Sequence, residues 1–264
     1  MSMKVLSKDE TRTRVLIKGT SATQMNLFRR LIINKVPTMA IDTVEISENS
    51  SALYDEMLAH RLGLIPLITD LKSYFLTKEC KCKGNGCARC TLDLSLEAEG
   101  PKIVYADEIK SKDPAIKPAF PKIPIVKLIE NQRIRLQAKA TLGEGKDHVK
   151  HIPALVFYQN FPKIEIGKIN NAEVIIQSCP KNLFSKEGKT VIVKNPENCI
   201  LCKACEDVSE QEIKVSESDK DFILTIEPFG QLDEKEIFKT AAEVLSNQLN
   251  ELEKEIKKIK WKQT

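Results

Sequence analysis

The chain has 264 residues, 42% of them hydrophobic, and a formal net charge of +4. This length is enough for two or three domains with buried cores, but no apolar run approaches the ~20 residues that span a bilayer. Only 8 of the 41 basic residues are Arg, and Arg dominates the direct reading of base edges, so sequence-specific DNA recognition is not expected. Residues 1–10 contain no apolar signal region, and we expect a cytoplasmic protein.

A strand and a helix are predicted first. Residues 12–18 alternate as a strand does. A helix should begin after Ser21, which has capping-box spacing to Gln24. It should end near Val36, because the proline that follows disfavours a helical conformation in the residue before it. This pair of elements is too small to bury its own apolar face.

A short strand and a second helix are predicted next. The short strand contains Ile41, Val44 and Ile46, and a helical pattern runs from about residue 52 to residue 62. Ser50 or Ser51 is placed to cap this second helix. A glycine directly after the helical pattern favours its end there.

The middle of the chain predicts a β-rich region. Residues 92–99 and 133–140 each alternate apolar and polar side chains, which is the pattern of a half-buried strand. Four prolines between residues 114 and 124 favour an extended connection over a helix. The run Gly143–Gly145 lacks the third glycine of a dinucleotide-binding loop, and we interpret it as a turn.

Eight cysteines fall in two groups of four. In a cytoplasmic protein such clustering favours metal sites over disulfides. The first group has the spacing C-x-C-x4-C-x2-C and consists of Cys80, Cys82, Cys87 and Cys90. Four thiolates this close together suit tetrahedral zinc. Disulfides and free thiols remain open alternatives for this group.

The second cysteine group has the pattern of an iron–sulfur site. Cys199, Cys202 and Cys205 form C-x2-C-x2-C, and Cys179 precedes a proline upstream. In bacterial ferredoxins three ligands of one cluster come from such a triplet and the fourth from a distant Cys before Pro. We predict one [4Fe–4S] cluster, or a [3Fe–4S] cluster if a ligand is lost, with zinc as the alternative. Ser209 stands where a two-cluster ferredoxin would have a further cysteine.

The last predicted helix follows a turn at Pro228–Gly230 and runs to about Trp261. Its apolar residues recur with a mean spacing of 3.5 and form a heptad-like seam, which consists of Phe238, Ala242, Leu245, Leu249, Leu252, Ile256 and Ile259. Such a seam suits packing along a second helix of similar length. The alternative is an ordinary amphipathic helix that lies on its own domain.

Two longer strings resemble a known family. FRRLIINKVPTMAID at residues 28–42 and DEMLAHRLGLIPL at residues 55–67 are similar to the D-subunit family of archaeal DNA-dependent RNA polymerase. That family is the counterpart of the bacterial alpha amino-terminal domain and of the third-largest subunit of eukaryotic RNA polymerase II. The segment GEGKDHVKHIP at residues 143–153 also resembles the family. Its basic residues, Lys146, His148, Lys150 and His151, either contact another subunit or belong to the surface.

The resemblance implies an α+β fold with three domains. A discontinuous dimerisation domain of strands and helices would comprise residues 1–40 and 222–264, with an inserted, mostly β domain at 41–165 and a ferredoxin-like iron–sulfur domain at 166–221. Some members carry that ferredoxin-like domain. Eukaryotic relatives hold zinc near the position of the first cysteine group.

The resemblance also implies a function. The chain would be a non-catalytic assembly subunit, would pair with the polymerase L subunit, and would form a platform for the large catalytic subunits beside other small subunits. Contact with DNA would be indirect only. The residues that we expect at partner interfaces are Phe28, Arg29, Arg30, Leu245, Leu249, Leu252 and Ile256. The cluster would be structural or regulatory, and the rival functions are a ferredoxin-like electron carrier or redox sensor and a zinc-bearing nucleic-acid module.

Overall fold

The computed structural model describes residues 1–167, 169, 171–188, 190–209 and 212–259. The strands are β1 (Ser2–Lys8), β2 (Thr13–Lys18), β3 (Thr38–Asn49), β4 (Thr91–Glu99), β5 (Lys102–Tyr105), β6 (Lys110–Ser111), β7 (Pro124–Leu128), β8 (Arg133–Gly143), β9 (Ala154–Ile166), β10 (Phe184–Glu187), β11 (Thr190–Val193) and β12 (Ile213–Pro228). The α-helices are α1 (Ala22–Lys35), α2 (Asp55–Gly63), α3 (Ala172–Ser178), α4 (Ala204–Val208) and α5 (Glu234–Lys258). The predicted α+β mixture of helices and strands is confirmed, and the strands pair in antiparallel sheets.

The chain forms two compact units. The first unit comprises Met1–Leu27 and Phe157–Thr225, and the second comprises Phe28–Val156 and the chain from Ile226 onward. The boundaries of the three domains inferred from the resemblance stay predictions.

The first unit contains a sheet with the strand order β1-β2-β12-β9 and a separate hairpin, β10–β11. Strands β1 and β2 pair antiparallel from Ser2 opposite Lys18 to Lys8 opposite Thr13. The side chains of Ile17 and Phe222 are fully buried in this unit. A second group of buried side chains lies around the hairpin and includes three cysteines: Ile175, Cys179, Leu183, Phe184, Val191, Cys199, Cys205, Ile213 and Val215.

The second unit is built on a sheet that we call the insert sheet, with the order β3-β8-β4-β6. Its central strand β8 pairs antiparallel with both β3 and β4. The apolar residues of β4 point into a core that also contains Leu58 and Leu62 of α2. The opposite face carries cross-strand ion pairs between Arg133 and Glu99 and between Arg135 and Glu97. The predicted alternation of both strands is thus confirmed.

Helix α5 begins with a side-chain cap, because the carboxylate of Asp233 accepts a hydrogen bond from the Glu236 amide at 2.7 Å. Near this end Ile237 and Ala241 are buried, and the ring of Phe238 stacks on that of Phe28 at a centroid distance of 5.7 Å. Toward the other end all residues are exposed. Trp261, the predicted end of this helix, lies outside the described residues. In the described part of the chain, no helix is both long and apolar enough to cross a membrane.

The helix starts show one success and one error. The capping box before α1 is present, because the Gln24 amide donates to Ser21 Oγ at 3.3 Å and the Ser21 amide donates to Gln24 Oε1 at 3.1 Å. The predicted cap of the second helix is wrong. Helix α2 begins at Asp55, its N-cap residue makes no side-chain cap, and Ser51 Oγ instead donates to the Asn49 side chain at 2.6 Å in the preceding turn.

Candidate metal centres

The second cysteine group, which we call the triplet site (Cys179, Cys199, Cys202 and Cys205), is assembled from three segments. Cys179 directly follows α3, Cys199 directly follows a 3-10 helix at Pro196–Asn198, and Cys205 lies in α4. Leu201 and Lys203 adopt left-handed conformations, with φ of 57° and 60°. These unusual conformations let the chain turn sharply between the three cysteines of the triplet.

The four cysteines of the triplet site line one narrow cavity. Three of them are buried and Cys202 is exposed. The rest of the lining is mainly apolar, with two cations at its edge, and consists of Ile164, Pro180, Lys181, Leu183, Phe184, Ile200, Lys203 and Val215. The structure therefore brings together all four cysteines that the sequence pattern selects.

Burial affects the chemistry of two of these thiols. It raises the pKa of Cys199 and of Cys205, so that both favour the protonated form when no metal is bound. A metal centre would displace these protons, because metals bind the thiolate. In the described residues the triplet site forms no group whose sulfur atoms converge on a single ion. A cavity lined by separated thiolates fits a cluster in which each sulfur binds its own iron.

Ser209 has a structural role beside the triplet site. It is buried, and its Oγ accepts a hydrogen bond from the Ile213 amide at 3.0 Å and donates to the Glu206 carbonyl at 3.1 Å. These bonds join the end of α4 to the start of β12. In two-cluster ferredoxins the equivalent position carries a further cluster ligand, whereas here Ser209 forms hydrogen bonds with the backbone.

The first cysteine group, which we call the knuckle site (Cys80, Cys82, Cys87 and Cys90), lies in one short irregular segment. Its four Sγ atoms all lie within 4.8 Å of one another. The Sγ atoms of Cys80 and Cys87 are 3.5 Å apart, as are those of Cys82 and Cys90. Four thiolates around a zinc ion at 2.3 Å would be roughly 3.8 Å apart. The knuckle site could therefore bind one metal ion with little rearrangement.

Local turns create this geometry. Gly84 and Gly86 have φ of 89° and 73°, which residues with a side chain rarely adopt. The amides of Lys83 and Cys90 donate to the carbonyls of Cys80 and Cys87 at 3.0 and 2.9 Å. Each cysteine pair thus lies on its own tight turn.

The thiols of the knuckle site differ in acidity. Hydrogen bonds from the thiols of Cys80 and Cys90 lower the pKa of Cys82 to about 6. Burial raises the pKa of Cys90 to about 12. Contact among the four thiols therefore favours a thiolate at Cys82, and the thiolate is the form that binds metal.

The residues expected at partner interfaces lie on α1 and α5. Phe28 and Leu245 are half-buried, Arg30 is exposed, and Phe28 stacks on Phe238. Three leucine and isoleucine side chains farther along α5 form an exposed stripe, with exposed fractions of 57%, 56% and 45% for Leu249, Leu252 and Ile256. Of the seam predicted from the sequence, Phe238 and Leu245 are half-buried, whereas Ala242 and the members from Leu249 onward are exposed.

The segment at residues 143–153 is more buried than its polar composition indicates. The ring of His151 is buried, and its Nδ1 donates to the Thr38 carbonyl at 2.8 Å. Lys150 Nζ contacts the carboxylate of Asp42 at 2.8 Å and the carbonyl of Ile41 at 3.1 Å. Both side chains hold this loop against β3.

Sequence reasoning missed one residue beside the triplet site. Arg14 of β2 donates from Nη1 to Oδ1 of Asn198 at 2.6 Å and from Nη2 to the carbonyl of Glu197 at 2.5 Å. These partners are more than 180 residues away in the sequence, so no local pattern signals the contact. An arginine beside the apolar run at residues 15–17 was the only hint in the sequence.

Comparison with known proteins gives consistent matches. The family model of the RNA polymerase Rpb3/RpoA insert domain matches residues 43–155. DNA-directed RNA polymerase subunit Rpo3 of Methanosphaera stadtmanae is 37% identical over 96% of this chain and 97% of its own length. The proteins of the same name from Archaeoglobus fulgidus and Pyrococcus horikoshii are each 37% identical, over 97% and 98% of this chain and 98% and 99% of their own lengths.

Proposed function

Because the chain belongs to the Rpo3 family of archaeal DNA-directed RNA polymerase subunits, we propose that it is a non-catalytic assembly subunit of that polymerase. It would pair with the small L subunit and present a platform for the large catalytic subunits and the other small subunits. The observation that carries this proposal is the similarity to Rpo3 proteins over nearly the whole chain.

The exposed stripe on α5 supports the pairing with a small subunit. Leu249, Leu252 and Ile256 are each about half exposed at heptad spacing on a helix of 25 residues, about 37 Å long. A contiguous apolar stripe of this kind marks an interaction surface. The flanking charges pair within the helix, as in Lys257–Glu253 and Lys258–Glu255. A partner helix of similar length would cover the stripe and leave these charges at the rim.

Helix α1 would extend this interface. Stacking of Phe28 on Phe238 joins α1 to the first turns of α5. Arg30 is exposed on α1, and Arg29 is half-buried beside it. We assign the guanidinium group of Arg30 to a contact with a carboxylate of a neighbouring subunit, since Arg forms bidentate pairs with carboxylates.

The triplet site would hold one iron–sulfur cluster, [4Fe–4S] or, after loss of one ligand, [3Fe–4S]. Its support is the convergence of four cysteines on one cavity and the ferredoxin-like spacing. When bound, the cluster would cross-link α3, α4 and the 3-10 helix. We favour a structural role, because three cysteines belong to the small buried core of this region and metal binding adds to folding stability.

The knuckle site would hold zinc. The separations of its sulfur atoms match those of a tetrahedral site, and no second protein segment is needed to complete the ligand set. Zinc has no redox chemistry, so the bound ion would have a structural role. It would stabilise the loop of residues 80–90, which directly precedes β4.

A second candidate function is a redox sensor or electron carrier. The exposure of Cys202 favours it, because this thiolate would connect the cluster to solvent. This alternative leaves the exposed stripe on α5 and the insert sheet without a role.

A pulldown of the tagged full chain from its own cells under oxygen-free conditions tests the proposal. We expect two very large subunits and at least one small subunit in fixed stoichiometry. A parallel pulldown with Leu252→Glu should lose the small subunit. Recovery of a single oxidoreductase, or of no partner, would overturn the assembly function and favour the electron carrier.

A further inference from the structure

Two hydrogen bonds link the sheet of the first unit to a ligand loop of the triplet site. They run from Arg14 in β2 to the side chain of Asn198 and to the carbonyl of Glu197. Asn198 is the last residue of the 3-10 helix, and Cys199 follows directly. Arg14 therefore holds the residue next to a predicted cluster ligand.

The geometry of these bonds suits a positioning role. Both terminal nitrogens of one guanidinium are used, so the planar group fixes the direction of the loop as well as its distance. The 3-10 helix has little anchorage of its own, since its N-cap residue Asn195 is left-handed and makes no side-chain cap. The amides of Asn198 and Cys199 donate to the carbonyls of Asn195 and Pro196, both at 3.0 Å, across this single turn.

The sheet and the triplet site are also connected through two strands. Ile213 and Val215 at the start of β12 belong to the same buried core as the three cysteines, and Ile164 of β9 packs against it. Strand β12 is the sheet neighbour of β2. The 3-10 helix is thus linked to the sheet by the side chain of Arg14, whereas β9 and β12 link the sheet to the site through their own backbone.

We propose that Arg14 is a latch residue of the triplet site: it slows loss of the cluster, and the bound cluster in turn orders the β1–β2 hairpin. This inference rests on the proposed iron–sulfur cluster. The coupling is reciprocal in free energy: if the contact stabilises the cluster-bound state, the bound cluster stabilises the contact by the same amount. Without Arg14 the Cys199 loop would move more freely, and its iron would exchange more readily.

The first test measures release of iron to a chelator from the purified, cluster-loaded full chain without oxygen. We expect Arg14→Ala to release iron about tenfold faster than wild type, and Arg14→Lys to be intermediate because an ammonium group cannot make the two-pronged contact. Lys18→Ala is the matched control, since it removes an exposed cation from the same strand. Equal rates for Arg14→Ala and wild type would overturn the latch.

A second pair of variants separates the latch from general destabilisation. Asn198→Ala keeps Arg14 and one acceptor, so we expect release about threefold faster. The double variant should release iron no faster than Arg14→Ala alone, because Asn198 acts through Arg14. Additive effects would overturn the latch. Asn198→Ala also serves as the test if Arg14→Ala does not fold.

Hydrogen exchange tests the reciprocal effect. Chelation of the cluster should raise amide exchange in residues 2–18 of the wild type, and this rise should be smaller in Arg14→Ala. Unchanged exchange in the wild-type hairpin would overturn the coupling. Absence of iron and acid-labile sulfide from anaerobically purified wild type would instead overturn the proposed cluster, and the latch with it.

Discussion

The two cysteine groups differ in how the fold brings their sulfur atoms together. At the knuckle site one short segment with two glycine turns places four sulfur atoms within 4.8 Å of one another. At the triplet site the residue after α3, the residue after a 3-10 helix, the loop at Cys202 and α4 supply the four cysteines around a shared cavity. Local backbone geometry therefore organises the first site, whereas tertiary structure organises the second.

The two sites also differ in what they contribute to their surroundings. The core under the insert sheet is built from aliphatic residues of β3, β4, β8 and α2, and among the described residues no cysteine belongs to it. The core beside the triplet site contains Cys179, Cys199 and Cys205. Loss of metal should consequently be a local event at the knuckle site and a cooperative one at the triplet site.

The largest effect is expected for a buried ligand of the triplet site. Cys205→Ser should abolish cluster binding and destabilise the region around α3 and α4 by more than about 4 kcal/mol, in the range for loss of a structural metal. Iron and sulfide analysis together with anaerobic thermal unfolding measures this. Exposed Cys202 provides the comparison, and Cys202→Ser should retain a three-iron cluster.

Normal folding of Cys205→Ser without iron would contradict the structural role and favour a regulatory one. Equal cluster loss in Cys202→Ser and Cys205→Ser would contradict the distinction between the exposed and buried ligands. Zinc content should be unchanged in both variants, because the knuckle site draws its ligands from a separate segment.

The second largest effect is expected for a substitution in the exposed stripe of α5, which lies outside both cysteine groups. Leu252→Glu should weaken binding of the small partner subunit by about tenfold or more, because a charge would enter a buried apolar seam. Asn250→Glu adds the same charge on another side of the same helix and should bind normally. Calorimetric titration of the two purified subunits gives the affinities. Equal weakening by both variants would show that charge, and not the stripe, matters.

A smaller effect is expected at the knuckle site. Removal of zinc by a chelator should raise amide exchange in residues 79–91 and lower the melting temperature of the second unit by about 2–4 °C, which corresponds to about 1 kcal/mol. The insert sheet should stay protected, because its core does not depend on cysteine. If amide exchange also rose throughout β3, β4 and β8, metal loss at the knuckle site would be cooperative, as it is expected to be at the triplet site.

The sequence predicts the local parts of this structure better than the tertiary ones. The alternation of β4 and β8, the capping box at Ser21 and the family resemblance are confirmed, since each depends on neighbouring residues or on long matching strings. The cap at Ser51 was wrong because Asn49 competes for the same hydroxyl group. The preference of serine for helix N-caps does not determine whether its hydroxyl group bonds to the helix or to a nearby side chain such as that of Asn49.

The candidate sites follow the same rule. Cysteine spacing selected both candidate ligand sets, and the structure places the cysteines of each set near one another. The spacing could not show that Cys202 is exposed while its neighbours are buried, because burial depends on β10, β12 and α3. Arg14 was missed for the same reason, since its partners are distant in sequence.

The smallest effect is a pH dependence that should distinguish the two units, because all three histidines lie in the second unit. Burial holds the pKa of His151 below its usual value of 6.5. The unfolded chain therefore binds the proton more readily, so the stability of the second unit should fall as the pH drops below about 6.5 toward the folded pKa. His151→Gln keeps a donor for the Thr38 carbonyl and should flatten this dependence in chemical denaturation. If the pH dependence of stability were unchanged in His151→Gln, it would arise from carboxylates instead.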